Sequence, residues 1–163
     1  MKTLLILRHA KSDWNNANLS DFDRPLNERG LRDAPRVGKL MRDKDLLPDL
    51  ILSSPAVRAR ETLRLAAETA AFGGEIRFEP RIYEASINDL LEIAAAVPDD
   101  CEKLLIVGHN PGFSRLVEVL TGESENLPTA ALAEIVLPIE NWSEIKTGAG
   151  ELKNLFKPKE IAN

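Results

Sequence analysis

The only two histidines of the chain, His9 and His109, each stand just after an apolar run, at 4–7 and 104–107. Arg58 stands in the polar sequence that follows a third apolar run. A neutral imidazole, whose ordinary pKa is about 6.5, is a competent nucleophile toward phosphorus at neutral pH. Arginine is permanently charged and holds phosphate oxygens bidentately, which offsets charge in the transition state. These residue types predict phosphoryl chemistry that needs no metal ion.

The apolar runs are typical of short buried strands, and the segments rich in Ala, Leu, Arg and Glu between them are typical of helices. This alternation predicts a single α/β domain over residues 1–163, with three layers, in which helices cover both faces of a mostly parallel central sheet. Strands are predicted at 2–8, 50–52, 75–78, 103–107 and 132–137, with 152–156 as a candidate edge strand. Helices are predicted at about 27–42, 54–71, 87–97 and 111–120.

Particular residues set the expected starts and breaks of the helices. Asn27 is a candidate N-cap of the first helix. Pro35 lies inside that helix and is expected to kink or restart it, because proline lacks the backbone N–H. Ser54 is the expected N-cap of the second helix, with Pro55 at its first helical position.

The residues that could bind phosphate or react with it are expected to meet at one edge of the sheet. Ligands of open α/β sheets bind beyond the carboxyl ends of the strands. Arg8, His9, Arg58 and His109 all follow predicted strand ends. Two helices begin at the same edge, and their free backbone N–H groups favour an anion. The pattern therefore predicts a phosphate site.

Other reactive side chains fit this chemistry less well. Arg60 and Arg64 are alternatives to Arg58, which is preferred because it lies in the first turn of its helix, nearest the strand end. Cys101 cannot be the nucleophile of a C-x5-R phosphatase, because Val107 stands where that pattern requires arginine. Two histidines and one cysteine do not make a structural zinc site. No metal or cofactor is predicted.

Composition limits the class of protein. A net charge of -5 argues against general binding to nucleic acid or to an anionic membrane, since both need a basic face. No apolar run approaches the roughly 20 residues of a membrane span. The N-terminal residues enter the first strand directly, which leaves no room for a signal peptide, and a single cysteine suits a reducing compartment. We therefore expect a cytoplasmic protein; the oligomeric state is not predicted.

Three motifs resemble those of a known family. The sequence RHAKSDWN at 8–15 resembles the R-H-G-x-S-x-x-N signature of the histidine phosphatase (phosphoglycerate mutase-like) superfamily. The sequence SSPAVRARET at 53–62 is similar to its S-S-P-x-x-R-A-x-Q-T signature, and the Gly-His pair at 108–109 resembles its third. The alanine after His9, the sequence DFDRPL at 21–26 and the small size of the chain resemble the SixA branch of phosphohistidine phosphatases.

This resemblance implies a phosphoglycerate mutase-like fold and a set of site residues. His9 would be the nucleophile that becomes phosphorylated. The phosphate pocket would comprise Arg8, Arg58 and His109, with Asn15 as an extra contact. A general acid of the family often lies where Glu84 stands. Phosphohistidine needs such an acid less than an alkyl phosphate does, because its leaving group is an easily protonated imidazole, so Glu84 leaves monoester hydrolysis open.

The leading hypothesis is a metal-independent phosphatase that acts on phosphohistidine in a partner protein. The short segments between the motifs favour a shallow site that a protein can reach. One alternative is a phosphomonoesterase that acts on a small phosphorylated substrate. A second alternative, from another class, is a phospho-binding module without catalysis.

Overall fold

The computed structural model describes residues 1–161. Its strands are β1 (Lys2–Arg8), β2 (Leu50–Ser53), β3 (Glu75–Phe78), β4 (Lys103–Gly108), β5 (Leu132–Leu137) and β6 (Glu151–Phe156). Its α-helices are α1 (Glu28–Asp43), α2 (Val57–Ala70), α3 (Ile87–Ala95) and α4 (Gly112–Thr121). Every predicted strand and helix is present, including the edge strand β6, with ends displaced by a few residues at most.

The six strands form one sheet in the order β3-β2-β4-β1-β5-β6. Strands β3, β2, β4 and β1 run parallel, whereas β5 is antiparallel to β1 and β6 is antiparallel to β5. The predicted mostly parallel sheet is therefore confirmed. Because β4 lies between β2 and β1, the carboxyl ends of the three strands that precede the candidate residues lie side by side.

Strand β1 is the centre of the fold because it contributes to the core on both faces of the sheet. Leu4 and Ile6 pack with residues of α3 and α4, whereas Leu5 and Leu7 pack with residues of α1 and α2. All four side chains are fully buried. Burying a side chain of this size stabilises a fold by about 1.5–3 kcal/mol. The burial of four such side chains therefore fixes the position of β1 and of the residues that follow it.

Helix α1 contains Pro35 in its interior and is not reset there. The Asn27 side chain caps the helix as expected, accepting a hydrogen bond from the Gly30 N–H at 2.9 Å. However, the helix continues through Pro35 to Asp43 and is not restarted there. The buried α1 residues on either side of the proline, Ala34 and Val37 among them, belong to the core shared with α2, and this packing holds the helix together despite the missing N–H.

Helix α2 also begins differently from its prediction. The structure places its first residue at Val57, with Ala56 as N-cap, so the prediction of Ser54 as N-cap and Pro55 as first helical residue is wrong. Ser54 instead lies in an extended connection, where its Oγ accepts a hydrogen bond from the Ala56 N–H at 3.2 Å. Within residues 1–161, no helix has the length and apolar character required to cross a membrane.

Candidate active site

A cleft of about 520 Å³ opens at the carboxyl ends of β1, β2 and β4. The structure brings together the four residues predicted for the phosphate pocket, which all line this cleft: Arg8, His9, Arg58 and His109. Arg8 is the last residue of β1, and Arg58 lies in the first turn of α2. The alternative arginines, Arg60 and Arg64, are exposed on α2 and do not line the cleft.

His9 is held in one orientation by the backbone around it. Its ring Nδ1 lies 2.7 Å from the carbonyl oxygen of Ala10, and a carbonyl only accepts, so Nδ1 carries the proton. The lone pair is therefore on Nε2, to which Nε of Arg58 donates at 3.4 Å. Burial lowers the pKa of His9 to about 3, and the charges of Arg58 and Arg8 and the neighbouring His109 add to this effect. His9 is consequently a neutral imidazole with its Nε2 lone pair in the cleft.

His109 faces His9 across the cleft, with ring centroids 5.2 Å apart. Its Nε2 lies 2.8 Å from Oγ of Ser54. Burial, and then the charge of Arg58, lower the pKa of His109 to about 4. The second imidazole is therefore also neutral near pH 7.

Arg8, one of three arginines that line the cleft, leaves part of its guanidinium without a protein acceptor within residues 1–161. Arg8 donates from Nη1 to the carbonyl oxygen of Leu127 at 2.8 Å, and burial together with the charge of Arg58 lowers the pKa of Arg8. Within residues 1–161, the buried polar side-chain atoms that lack a hydrogen-bond partner are Nε of Arg8 and Nδ1 of His109. Both belong to the predicted phosphate pocket. Unpartnered buried polar groups are rare in proteins, and here they are available to an anionic ligand.

Asp21 organises the mouth of the cleft, which sequence reasoning did not anticipate. It lies on the short 3-10 turn Asp21–Asp23, and its Oδ1 accepts from Nε and Nη2 of Arg24 at 3.1 and 3.0 Å. Its Oδ2 accepts from Nη2 of Arg58 at 3.1 Å and from the Tyr83 hydroxyl at 2.6 Å. Its backbone oxygen accepts from Nη1 of Arg58 at 2.7 Å. These bonds, led by that of Tyr83, lower the pKa of Asp21 to about 2.

Arg24 extends this network to the rim. Its Nη1 donates to Oγ of Ser12 at 2.6 Å, and its guanidinium lies 3.4 Å from the ring centroid of Trp14. Trp14 lines the cleft but is 69% exposed. The motif DFDRPL contained the signal for this network, but nothing in the sequence showed that its first aspartate reaches Arg58.

The two remaining predicted residues, Glu84 and Asn15, differ in their position relative to the cleft. Glu84 is exposed and lines the cleft, in a left-handed conformation with a φ of 56° that is uncommon for residues other than glycine. Asn15 does not line the cleft, so the structure does not support its prediction as a phosphate contact. It lies exposed beside an adjoining groove because the loop turns at Asp13, whose Oδ1 accepts from the Asn15 N–H at 2.7 Å.

Comparison with known sequences identifies the family. The family described as "Histidine phosphatase superfamily (branch 1)" matches residues 4–106, which include most of β1, all of α2 and most of β4. The chain belongs to the histidine phosphatase superfamily. An uncharacterized chloroplastic protein of Arabidopsis thaliana is 34% identical over 170 residues, which cover 96% of this chain and 78% of that protein.

Solved structures of this superfamily include close matches to the fold. The putative phosphohistidine phosphatase SixA from Agrobacterium tumefaciens is 30% identical, with a TM-score of 0.83 and coverage of 96% of this chain and 98% of that chain. A protein histidine phosphatase SixA complexed with tungstate has a TM-score of 0.85 at 21% identity, covering 98% of this chain and 99% of that chain. The resemblance found in the sequence and the predicted phosphoglycerate mutase-like fold are thus confirmed.

Proposed function

We propose that this histidine phosphatase hydrolyses phosphohistidine in a partner protein through a phosphorylated His9. The observation that carries the proposal is the state of His9. A neutral imidazole presents its Nε2 lone pair to a cleft that Arg8 and Arg58 also line. The nucleophile and the arginines that would bind the phosphoryl group therefore lie in one cleft already, and the His9 ring does not need to turn.

The reaction would proceed in two displacements at phosphorus. In the first, Nε2 of His9 forms a bond to phosphorus while the substrate P–N bond breaks, and the leaving imidazole, protonated on its other nitrogen by solvent, departs neutral. In the second, water attacks the phosphorus, the bond to Nε2 breaks, and inorganic phosphate leaves. The proton lost by water goes to phosphate or solvent, and His9 returns to its starting state.

Arg8, Arg58 and His109 would stabilise the charge of the transferring group. Phosphoryl transfer is catalysed mainly by positioning and by electrostatic stabilisation of the phosphoryl oxygens. Nε of Arg8 and Nδ1 of His109 have no protein partner among residues 1–161, so a phosphoryl oxygen would supply the missing acceptors. Arg58 still has N–H groups that Asp21 and His9 do not use, because a guanidinium carries five.

The shape of the rim supports a protein as substrate. Trp14 and Glu84 are exposed where they line the cleft, so a side chain carried on another protein can reach the pocket. The names of the SixA-like neighbours support the same substrate class. The second candidate is hydrolysis of small phosphomonoesters, favoured by one observation: the carboxyl group of Glu84 lies at the rim, where in its protonated form it would donate a proton to an alkoxide leaving group.

The experiment that tests the proposal measures phosphate release in excess chelator from a phosphohistidine-bearing carrier protein and from a panel of phosphomonoesters. We expect rapid release from the carrier, loss of release in His9→Ala, and a fall of at least about a hundredfold in kcat/KM in Arg58→Ala. Arg60→Ala is the matched control, because this arginine lies on the same helix but is exposed. Activity confined to small esters would favour the second candidate. Phosphate binding without turnover of any substrate would contradict both.

A further inference from the structure

Ser54 lies beside the cleft in a position that the chemistry described above does not use. It connects β2 to α2, its side chain is fully buried, and it is not among the residues that line the cleft. Its Oγ lies 3.2 Å from the backbone nitrogen of Ala56 and 2.8 Å from Nε2 of His109. The serine therefore joins the backbone before α2 to the second histidine of the pocket.

In the hydrogen bond between Ser54 and His109, the serine hydroxyl is the donor. The backbone N–H of Ala56 only donates, so Ser54 Oγ accepts there. The single hydroxyl proton of Ser54 then needs an acceptor of its own, because buried donors in proteins are almost always paired. In the part of the chain that the structure describes, the acceptor that it meets is Nε2 of His109. The hydroxyl therefore donates to Nε2, which must carry the lone pair of the ring.

The remaining ring nitrogen of His109 has no hydrogen-bond partner in the part of the chain that the structure describes. A neutral imidazole carries one proton, so a lone pair on Nε2 puts that proton on Nδ1. Nδ1 of His109 is one of the buried atoms without a hydrogen-bond partner. The ring is neutral near pH 7 because its pKa is lowered to about 4. The unpaired group is thus a buried N–H donor on a histidine that lines the pocket and whose ring centroid lies 5.2 Å from that of His9.

We propose that Ser54 is a positioning residue that fixes His109 as its Nδ1–H tautomer, so that His109 offers the phosphoryl group a neutral hydrogen-bond donor. The direction of the bond matters because the other tautomer would turn a lone pair toward the phosphoryl oxygens and repel them. The nature of the ligand rests on the proposed function, whereas the tautomer of His109 does not.

Nuclear magnetic resonance of the ¹⁵N-labelled full chain at pH 7.5 tests the tautomer directly. The chain has only two histidines, so its ring nitrogen signals are few, and His109→Gln assigns them. We expect an unprotonated Nε2 and a protonated Nδ1 for His109 in the natural protein. In Ser54→Ala we expect the proton to redistribute toward Nε2. A natural protein with the proton of His109 on Nε2, or no redistribution in Ser54→Ala, would overturn the proposal.

Turnover provides the second readout. Ser54→Ala should lower kcat/KM on the phosphohistidine carrier about tenfold, since one oriented hydrogen-bond donor is lost. Ser54→Cys keeps a side chain of similar size with a weak S–H donor, so its kcat/KM should lie between those of the natural protein and Ser54→Ala. This variant also tests the proposal if Ser54→Ala does not fold. The matched control is Ser53→Ala, because Ser53 is equally buried but donates to the carbonyl oxygen of Ser54 at 2.9 Å and not to the histidine.

The outcomes distinguish the positioning role of Ser54 from the proposed function. If Ser53→Ala alters the His109 tautomer and the activity as much as Ser54→Ala does, any disturbance of the segment between β2 and α2 has this effect. The positioning role of Ser54 is then wrong. If the natural protein has the expected tautomer but turns over no phosphorylated substrate, the proposed function fails while the role of Ser54 stands.

Discussion

The Tyr83 hydroxyl donates to Oδ2 of Asp21 at 2.6 Å and thereby joins two segments that lie 62 residues apart in the chain. The same carboxylate holds Arg58 and Arg24. A single anion in the mouth of the cleft therefore keeps two guanidinium groups in place before any phosphoryl group binds. Preorganised charge of this kind is effective because it costs no reorganisation during the reaction.

We predict that Asp21→Asn lowers kcat/KM about tenfold on any substrate that the enzyme hydrolyses, because an amide offers one oxygen where the carboxylate offers two charged ones. The measurement is steady-state kinetics with circular dichroism as a check of folding. Asp23→Asn is the matched control, since Asp23 lies on the same turn but accepts from Oγ of Ser20 at 2.8 Å. Equal effects of the two substitutions would show that the turn as a whole, and not Asp21, supports activity.

Trp14 gives a prediction that separates protein from small substrates. Its ring is fixed by the guanidinium of Arg24 on one face and is 69% exposed at the rim of the cleft. We expect Trp14→Ala to raise KM for the phosphohistidine carrier protein about tenfold, because exposed aromatic residues commonly anchor interfaces, and to leave KM for a small phosphoramidate unchanged. Phe78→Ala is the control, because Phe78 is 51% exposed on β3 and does not line the cleft. An equal rise in KM for both substrates would contradict this prediction.

The sequence was sufficient for those parts of the fold and site that depend on local pattern. Apolar runs and the polar residues directly after them predicted the strands and placed Arg8, His9, Arg58 and His109 at one edge. The sheet order, with β4 between β1 and β2, depends on pairing between distant segments, which no local pattern encodes.

The errors have the same physical origin. Ser54-Pro55 has the composition of a helix start, but the helix begins three residues later at Val57, and the Ser54 side chain lies between the Ala56 N–H and His109, a partner 55 residues away. Asp21 was recognisable only as part of a motif, because its contacts with Arg58 and Tyr83 form across the cleft. Asn15 was predicted from its place in a motif and lies outside the cleft because of a local turn at Asp13; its contact with phosphate stays a prediction.

The depressed pKa values of His9, about 3, and His109, about 4, predict how stability depends on pH. Between about pH 4 and the ordinary histidine pKa of about 6.5, the unfolded chain binds protons that the folded chain does not, so the free energy of unfolding rises with pH. Asp21, with its pKa lowered to about 2, contributes only below this range.

Urea unfolding at pH 5.0 and 7.5 measures this effect. We expect a lower midpoint at pH 5.0 in the natural protein and a smaller difference between the two midpoints in His109→Gln, which removes one of the depressed groups. A midpoint that is independent of pH over this range, or one that is higher at pH 5.0, would contradict the neutral state of the two histidines.

Glu84 decides between the two candidate substrate classes, because only an alkoxide leaving group depends on a general acid. We predict that Glu84→Gln leaves release from the phosphohistidine carrier within about twofold and lowers kcat on any phosphomonoester that is hydrolysed by about a hundredfold, the usual contribution of a positioned acid. Glutamine has the same size as glutamate, so the substitution leaves the left-handed backbone conformation at this position unchanged. An effect on kcat therefore reports the loss of the acid. Glu140→Gln serves as control, because Glu140 is exposed just after β5 and does not line the cleft. A loss on the carrier as large as that on the esters would assign Glu84 to both reactions and contradict this prediction.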